Sequence, residues 1–156
     1  MRNKIIISLL LLISVSLIVY IFLNRDTSIL NKNATINDIK IEDKVNIYVF
    51  WSENCSHCEE LYQYLEPLQK EYKNVFNIYG FEVSKNKINQ DIMDSFKEEL
   101  GEKKWSYTVP YYIIGDESME GFSVGMKKEV LETILIKYEN LKDINKFENI
   151  LKRTSE

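Results

Sequence analysis

An α/β fold, with a mixed β-sheet covered on both faces by helices and preceded by a membrane-spanning helix, is what this sequence predicts. Three observations carry it. Strand-like and helix-like segments alternate from Lys44 onward as a β-α-β unit, a β-hairpin and a further helix. Hydrophobic residues make up 45% of the 156, with ten Tyr and seven Phe, so one core can form without covalent staples and a single domain is expected. A long uncharged run stands near the N-terminus. Charged residues are 28% of the chain and the formal net charge is -4, with Lys and Glu interleaved. That leaves no basic field for a nucleic-acid backbone, and nucleic acid is not an expected partner.

Arg2 and Lys4 precede an apolar run from Ile5 to Leu23 broken only by Ser8, Ser14 and Ser16. At 1.5 Å per residue such a run reaches across a hydrocarbon core. A cleaved signal peptide is the rival reading, but its apolar region is usually about 7 to 15 residues and ends at small residues. Ala34 is the only Ala, and Lys32 stands in the small-residue pattern before it. An uncleaved signal anchor over 1–24 is therefore expected. Positive charge is in excess before the run, while Arg25 is offset by Asp26 after it, so the N-terminus is expected in the cytoplasm and the rest of the chain outside the cell membrane. Residues 25–37, polar and without periodicity, read as a tether, and 38–156 as the folded domain. Sparse Ala, Gly and Pro beside abundant Ile, Asn and Lys point to an AT-rich bacterial source.

Val45 to Trp51 is a β-branched and aromatic run of strand length that ends at Ser52-Glu53-Asn54, which are turn and cap residues. Leu61, Leu65, Leu68 and Tyr72 then recur at helical spacing, predicting a helix of four to five turns kinked at Pro67. Val75 to Val83 reads as a second strand. Ile88 to Leu100 reads as a helix through Ile92, Met93, Phe96 and Leu100, stopped at Gly101. Val109 to Ile114 is a strand opening at a proline, one of the few strand positions that tolerates it. Gly115 to Ser118 is a hairpin turn and Met119 to Phe122 the returning strand. Met126 to Tyr138 is a helix with Val130, Leu131, Ile134 and Leu135 inward, and a shorter amphipathic piece runs from Ile144 to Leu151.

The two Cys of the chain stand three positions apart, in Cys55-Ser56-His57-Cys58, at the junction of the first strand and the first helix. At a helix N-terminus, unpaired backbone N–H groups and the positive end of the dipole favour a thiolate at Cys55. Cys58, one turn on, lies on the same side within reach of a disulfide. Such a pair can cycle between dithiol and disulfide, with Cys55 exchanging and Cys58 resolving. His57, the only His, either stabilises the thiolate as an imidazolium or is an exposed helix residue without that role. Zinc would need four ligands, and the chain lacks a second thiolate pair. A disulfide closing so small a loop would add little stability.

Trp51-Ser52-Glu53-Asn54-Cys55-Ser56-His57-Cys58, followed by Thr108-Val109-Pro110 and by Glu120-Gly121-Phe122, resembles the thioredoxin superfamily over Ile36 to Tyr138. The resemblance implies a thioredoxin-like fold and thiol-disulfide oxidoreductase activity without metal or organic cofactor. It implies a cis Pro110, with Val109 and Pro110 helping to bind the substrate chain, Trp51 flanking the site or serving only as a packed aromatic, and Gly121 at a bulge or close approach. Cysteine-containing proteins or peptides are the implied substrates. Many members carry a buried acid six residues before the first Cys, to move the proton of the second; here that position is Val49, which leaves water, Glu53 or Glu59. Ser-His between the cysteines leans toward oxidase or isomerase work; a reductase fed by a membrane redox partner and a non-enzymatic module for peptide export are the alternatives. One helix and its loops separate Val83 from Val109, which leaves no room for the helical insert of DsbA-like oxidases, and the chain is similar to membrane-anchored members such as the bacteriocin transport accessory proteins.

Overall fold

The computed structural model describes residues 13–16, 31–40, 42–103, 107–141, 147 and 150. The expected anchor and tether before Asn31 lie outside these, except for 13–16, which are helical and exposed. Most of the expected piece from Ile144 to Leu151 also lies outside. Among the described residues no helix is long and apolar enough to cross a membrane.

Four strands form one mixed sheet. They are β1 (Val45–Trp51), β2 (Phe76–Glu82), β3 (Tyr111–Ile114) and β4 (Glu117–Glu120), in the order β2-β1-β3-β4. β1 runs parallel to β2 and antiparallel to β3, and β3 and β4 are the arms of the hairpin. Period-two alternation sorts the side chains of β1 onto two cores. Val45, Ile47 and Val49 face one core with Leu61, Tyr62, Leu65, Val130 and Ile134. Tyr48 and Phe50 face the other with Phe81, Ile92, Met93, Phe96 and Tyr111. Helices α1 (Ser56–Glu71) and α3 (Lys127–Glu139) thus cover one face and α2 (Lys87–Glu99) the other.

Local chemistry sets the helix ends. Cys55 caps α1 and Asn86 caps α2, each accepting a backbone N–H of the first turn. Gly101, at φ 73°, follows the end of α2 where a left-handed residue closes a helix. α1 continues through Pro67. The missing proline N–H deprives the Gln63 carbonyl of its helical donor, and both residues are exposed, which leaves that carbonyl open to solvent.

Several boundaries differ from the sequence expectation. β3 begins at Tyr111, because Pro110 has no N–H for the ladder; its carbonyl still accepts from the Gly121 N–H at 2.7 Å. The hairpin turn is the two residues Gly115-Asp116, since Ile114 pairs directly with Glu117 and Gly115 supplies the positive φ, 64°, that tight hairpins need. Gly121 sits at φ 69° with open space around its Cα, so left-handed backbone and not close approach is what selects it. On α3, Val130 and Ile134 are buried with Thr133, whereas Leu135 faces out and Leu131 is half-buried. Lys97 of α2, which periodicity puts among polar residues, is 1% exposed, with its ammonium 4.3 Å from the Tyr111 ring and 3.3 Å from Glu120.

The expected tether extended to Asn37, yet residues 31–37 belong to the packed domain. β2 is an edge strand with unpaired backbone groups. The Gly80 N–H donates to Asn31 O and the Ala34 N–H donates to Gly80 O, both at 2.8 Å, and Ala34 is buried. Thr35 and Asp38 then close a 3₁₀ turn over Ile36–Asp38, each bonding the other.

Two stability measurements check this packing. Ile134→Ala should cost about 2 to 5 kcal/mol in urea unfolding, whereas Leu135→Ala should stay within about 0.5 kcal/mol. A Cβ on Gly80 would collide with the Tyr62 hydroxyl and with the Lys32 backbone. Gly80→Ala should therefore lose about 1 to 3 kcal/mol, of which Tyr62→Phe in the same chain recovers part.

Candidate active site

The site is assembled where β1 hands over to α1. Asn54 adopts φ 61°, a left-handed conformation that Asn tolerates better than most side chains, and it turns the chain from strand direction into the helix. Cys55 follows in extended conformation as the N-cap. Its Sγ accepts the Cys58 N–H at 3.1 Å and its carbonyl accepts the Glu59 N–H at 3.1 Å. Unpaired N–H groups and the positive end of the helix dipole are thus directed at the Cys55 sulfur, an arrangement that stabilises a thiolate once the pair is reduced. The two cysteines are joined as a disulfide, Cα to Cα 5.2 Å. They differ in access: Cys58 is 2% exposed, whereas Cys55 is only half-buried.

A cleft of about 540 Å³ opens beside the disulfide, lined by Cys55, Cys58, Trp51, Lys32, Glu59 and Tyr62 among others. Trp51 is held in its wall by an indole N–H donated to the Lys32 carbonyl at 2.7 Å and by an edge-to-face contact with Tyr62, 6.4 Å between ring centroids. The Lys32 ammonium stands 4.7 Å over the Tyr62 ring and 3.4 Å from a Glu59 carboxylate oxygen. The Tyr62 phenol is pushed up by burial, and the neighbouring Glu59 carboxylate adds to this.

The cleft does not take in the other residues singled out from the sequence. His57 is exposed on the outside of α1, its Nδ1 3.5 Å from Glu60 one turn on. Val109 and Pro110 come to the same end of the sheet by register: Phe50 pairs with Tyr111 as the last pair of the two strands, so Val109 and Pro110 precede β3 at the end of β1 that carries Trp51. The Val109-Pro110 peptide is cis, as the resemblance implies, and Pro110 is buried. Glu53 pairs with Lys85 at 2.5 Å, bracing the loops after β1 and β2, and does not line the cleft. Val49 is fully buried between Gly80 and Tyr112. Among the described residues no group of three or more His, Cys, Asp and Glu side chains is placed to hold a metal ion.

Lys32 and Tyr62 went unmarked in the sequence. Tyr62 is four residues after Cys58, a helical spacing that signals a shared face. Lys32 had no such signal, because only the edge of β2 brings its segment to the site.

No family model matches the chain, and no curated protein matches it. Among solved structures it is similar to the solution structure of an uncharacterized thioredoxin-like protein from Clostridium perfringens, with a TM-score of 0.49 and 21% identity over 74% of this chain and 90% of that one. Independently of that likeness, the chain's own strand order, parallel and antiparallel pairings and flanking helices make it a thioredoxin-like α/β fold. A Cys-x-x-Cys pair stands at the N-terminus of its first helix.

The unequal access of the two sulfurs has a direct chemical readout. After reduction and brief exposure to iodoacetamide near neutral pH, mass spectrometry should find label on Cys55 well before Cys58. Equal labelling would mean that the helix end does not protect Cys58.

Proposed function

We propose that this protein is a thiol-disulfide oxidoreductase, held at the outside of the cell membrane by its N-terminal apolar run, which exchanges disulfides with cysteine-containing proteins or peptides. One observation carries the reading: a Cys-x-x-Cys disulfide caps a helix with one sulfur accessible and the other buried. Two sulfurs so placed can do different jobs in one exchange.

In the oxidising direction a substrate thiolate attacks Cys55 Sγ, the bond to Cys58 breaks, and Cys58 leaves as a thiolate that takes up a proton. A second substrate thiolate then attacks its own sulfur in the mixed disulfide and expels the Cys55 thiolate. The substrate leaves as a disulfide, and two electrons remain on the enzyme as a dithiol. Run backward, the same steps reduce a substrate, with Cys58 resolving the mixed disulfide. The helix N-terminus favours the Cys55 thiolate and so stabilises the reduced enzyme, which makes the pair the more oxidising. The oxidase or isomerase direction is accordingly the preferred one. Trp51 forms a wall of the cleft, and Val109 with Pro110 offers backbone to the substrate at the neighbouring strand end.

The reduction potential of the full-length chain tests direction and activity together, by equilibration with glutathione and trapping of free thiols. A value at or above about -180 mV is expected. One near about -270 mV would instead assign a reductase supplied with electrons by a membrane partner. Cys55→Ala should abolish exchange with a disulfide-bonded peptide. Full function in that variant, or the absence of a reversible couple, would overturn the enzyme reading in favour of a binding module.

A further inference from the structure

Every turnover that passes through a mixed disulfide requires Cys58 to lose or gain a proton, and Cys58 is buried. Val49, on the face of β1 that packs against α1, is fully buried and apolar, with Gly80 and Tyr112 as its ladder partners. β1 thus offers no proton-transfer group there, and the groups that line the cleft are the ones to weigh.

The titratable groups around the site can be taken in turn. On the loops, Glu53 is tied to Lys85 and lies outside the cleft. On the outer side of α1, His57 is turned to Glu60, and it too lies outside. From β3 comes Tyr112, whose phenol is pushed up by burial and by Glu129. Tyr62 of α1 does line the cleft and its hydroxyl is buried without a partner, but burial pushes that phenol up as well, so it does not accept a thiol proton near neutrality. Lys32 lines the cleft as a cation and has no lone pair to offer. Among the described residues, Glu59 is the one carboxylate lining the cleft that holds both cysteines.

Its placement is braced. The Lys32 ammonium sits 3.4 Å from Glu59 and 4.7 Å over the Tyr62 ring, while the Lys32 carbonyl is bonded by Trp51. The segment that brings Lys32 is itself paired to β2 through Asn31 and Ala34. Glu59 lines the cleft with its side chain 58% exposed, so water from the open cleft is able to complete the path to Cys58.

We propose that Glu59, held by Lys32 across the Tyr62 ring, is the proton acceptor and donor for Cys58. The inference rests on the oxidoreductase reading. In the reducing direction the Glu59 carboxylate takes the Cys58 S–H proton, the Cys58 thiolate attacks Cys55 Sγ, the Cys55-Cys58 bond forms, and the substrate sulfur departs as a thiolate that is protonated from Glu59 or solvent. In the oxidising direction protonated Glu59 returns the proton to the Cys58 thiolate as that sulfur is displaced.

The test separates the two half-steps in the full-length chain. Reduced enzyme is mixed with a disulfide-bonded peptide, quenched with acid at intervals, and the Cys55 mixed disulfide is followed by mass spectrometry. In Glu59→Gln, formation of the mixed disulfide should keep its rate, while its resolution near about pH 6 should fall about tenfold or more. The deficit should close as pH rises toward the ordinary thiol range near about 8.5, where hydroxide does the same work. Added acetate should restore the Gln variant in proportion to its concentration. Resolution at the wild-type rate in Glu59→Gln would overturn the proposal, as would a loss that neither pH nor acetate repairs, which would mark a structural role. Slower resolution in Tyr62→Phe with Glu59→Gln unaffected would transfer the role to the phenol. Absence of any mixed disulfide in the wild type would instead defeat the oxidoreductase reading itself.

Discussion

The double-sided burial of β1 is the constraint on which the rest of the molecule hangs. Each of its residues from Ile47 to Phe50 is buried, on alternating sides, so neither face can turn to water without emptying one of the two cores. A slip of one residue would exchange the cores entirely. Register is therefore held tightly, and it carries the chemistry with it. Where β1 ends, Asn54 turns the chain, Cys55 begins the helix, Tyr111 pairs with Phe50 just after Pro110, and Glu82 pairs with Trp51 on the other side.

Helix capping and redox chemistry use the same atoms here. The Cys55 sulfur fills the position that a Ser or Asp oxygen would take at an N-cap, accepting the Cys58 N–H. A thiolate gains from that place what any anion gains at a helix N-terminus. The same turn of helix lowers Cys58 into the core, so accessibility and reactivity are divided between two residues by one structural element. His57, between them in sequence, follows the helix outward to Glu60 and stands apart from the cleft.

The edge of β2 shows how a sheet recruits chain. Gly80 has no side chain, which leaves room for the Tyr62 hydroxyl above it and lets the segment at Asn31 approach on the open side. The recruited residues carry Lys32 to the wall of the cleft, where it meets Glu59, Tyr62 and Trp51. An edge that would otherwise invite another chain is occupied by the protein's own N-terminal segment.

Sequence alone determined the strand of alternating faces at Val45 to Trp51, the helices that begin at the cysteines and near Ile88, the hairpin after Pro110, and the pairing of Cys55 with Cys58. These are local facts, set by period, capping residues and a three-residue spacing, and they need no knowledge of distant partners. Only tertiary structure decided which way His57 points, that Leu135 faces solvent and Lys97 does not, and that Lys32 belongs to the site. A helix such as α3, whose apolar residues are spread around its circumference among Lys and Glu, does not announce its buried stripe, and a long cation is buried only when a ring and a carboxylate from other elements are there to receive it. The contact of Lys32 with Glu59 spans residues far apart in the chain and exists because an edge strand had backbone groups to satisfy, which no periodicity in the sequence records.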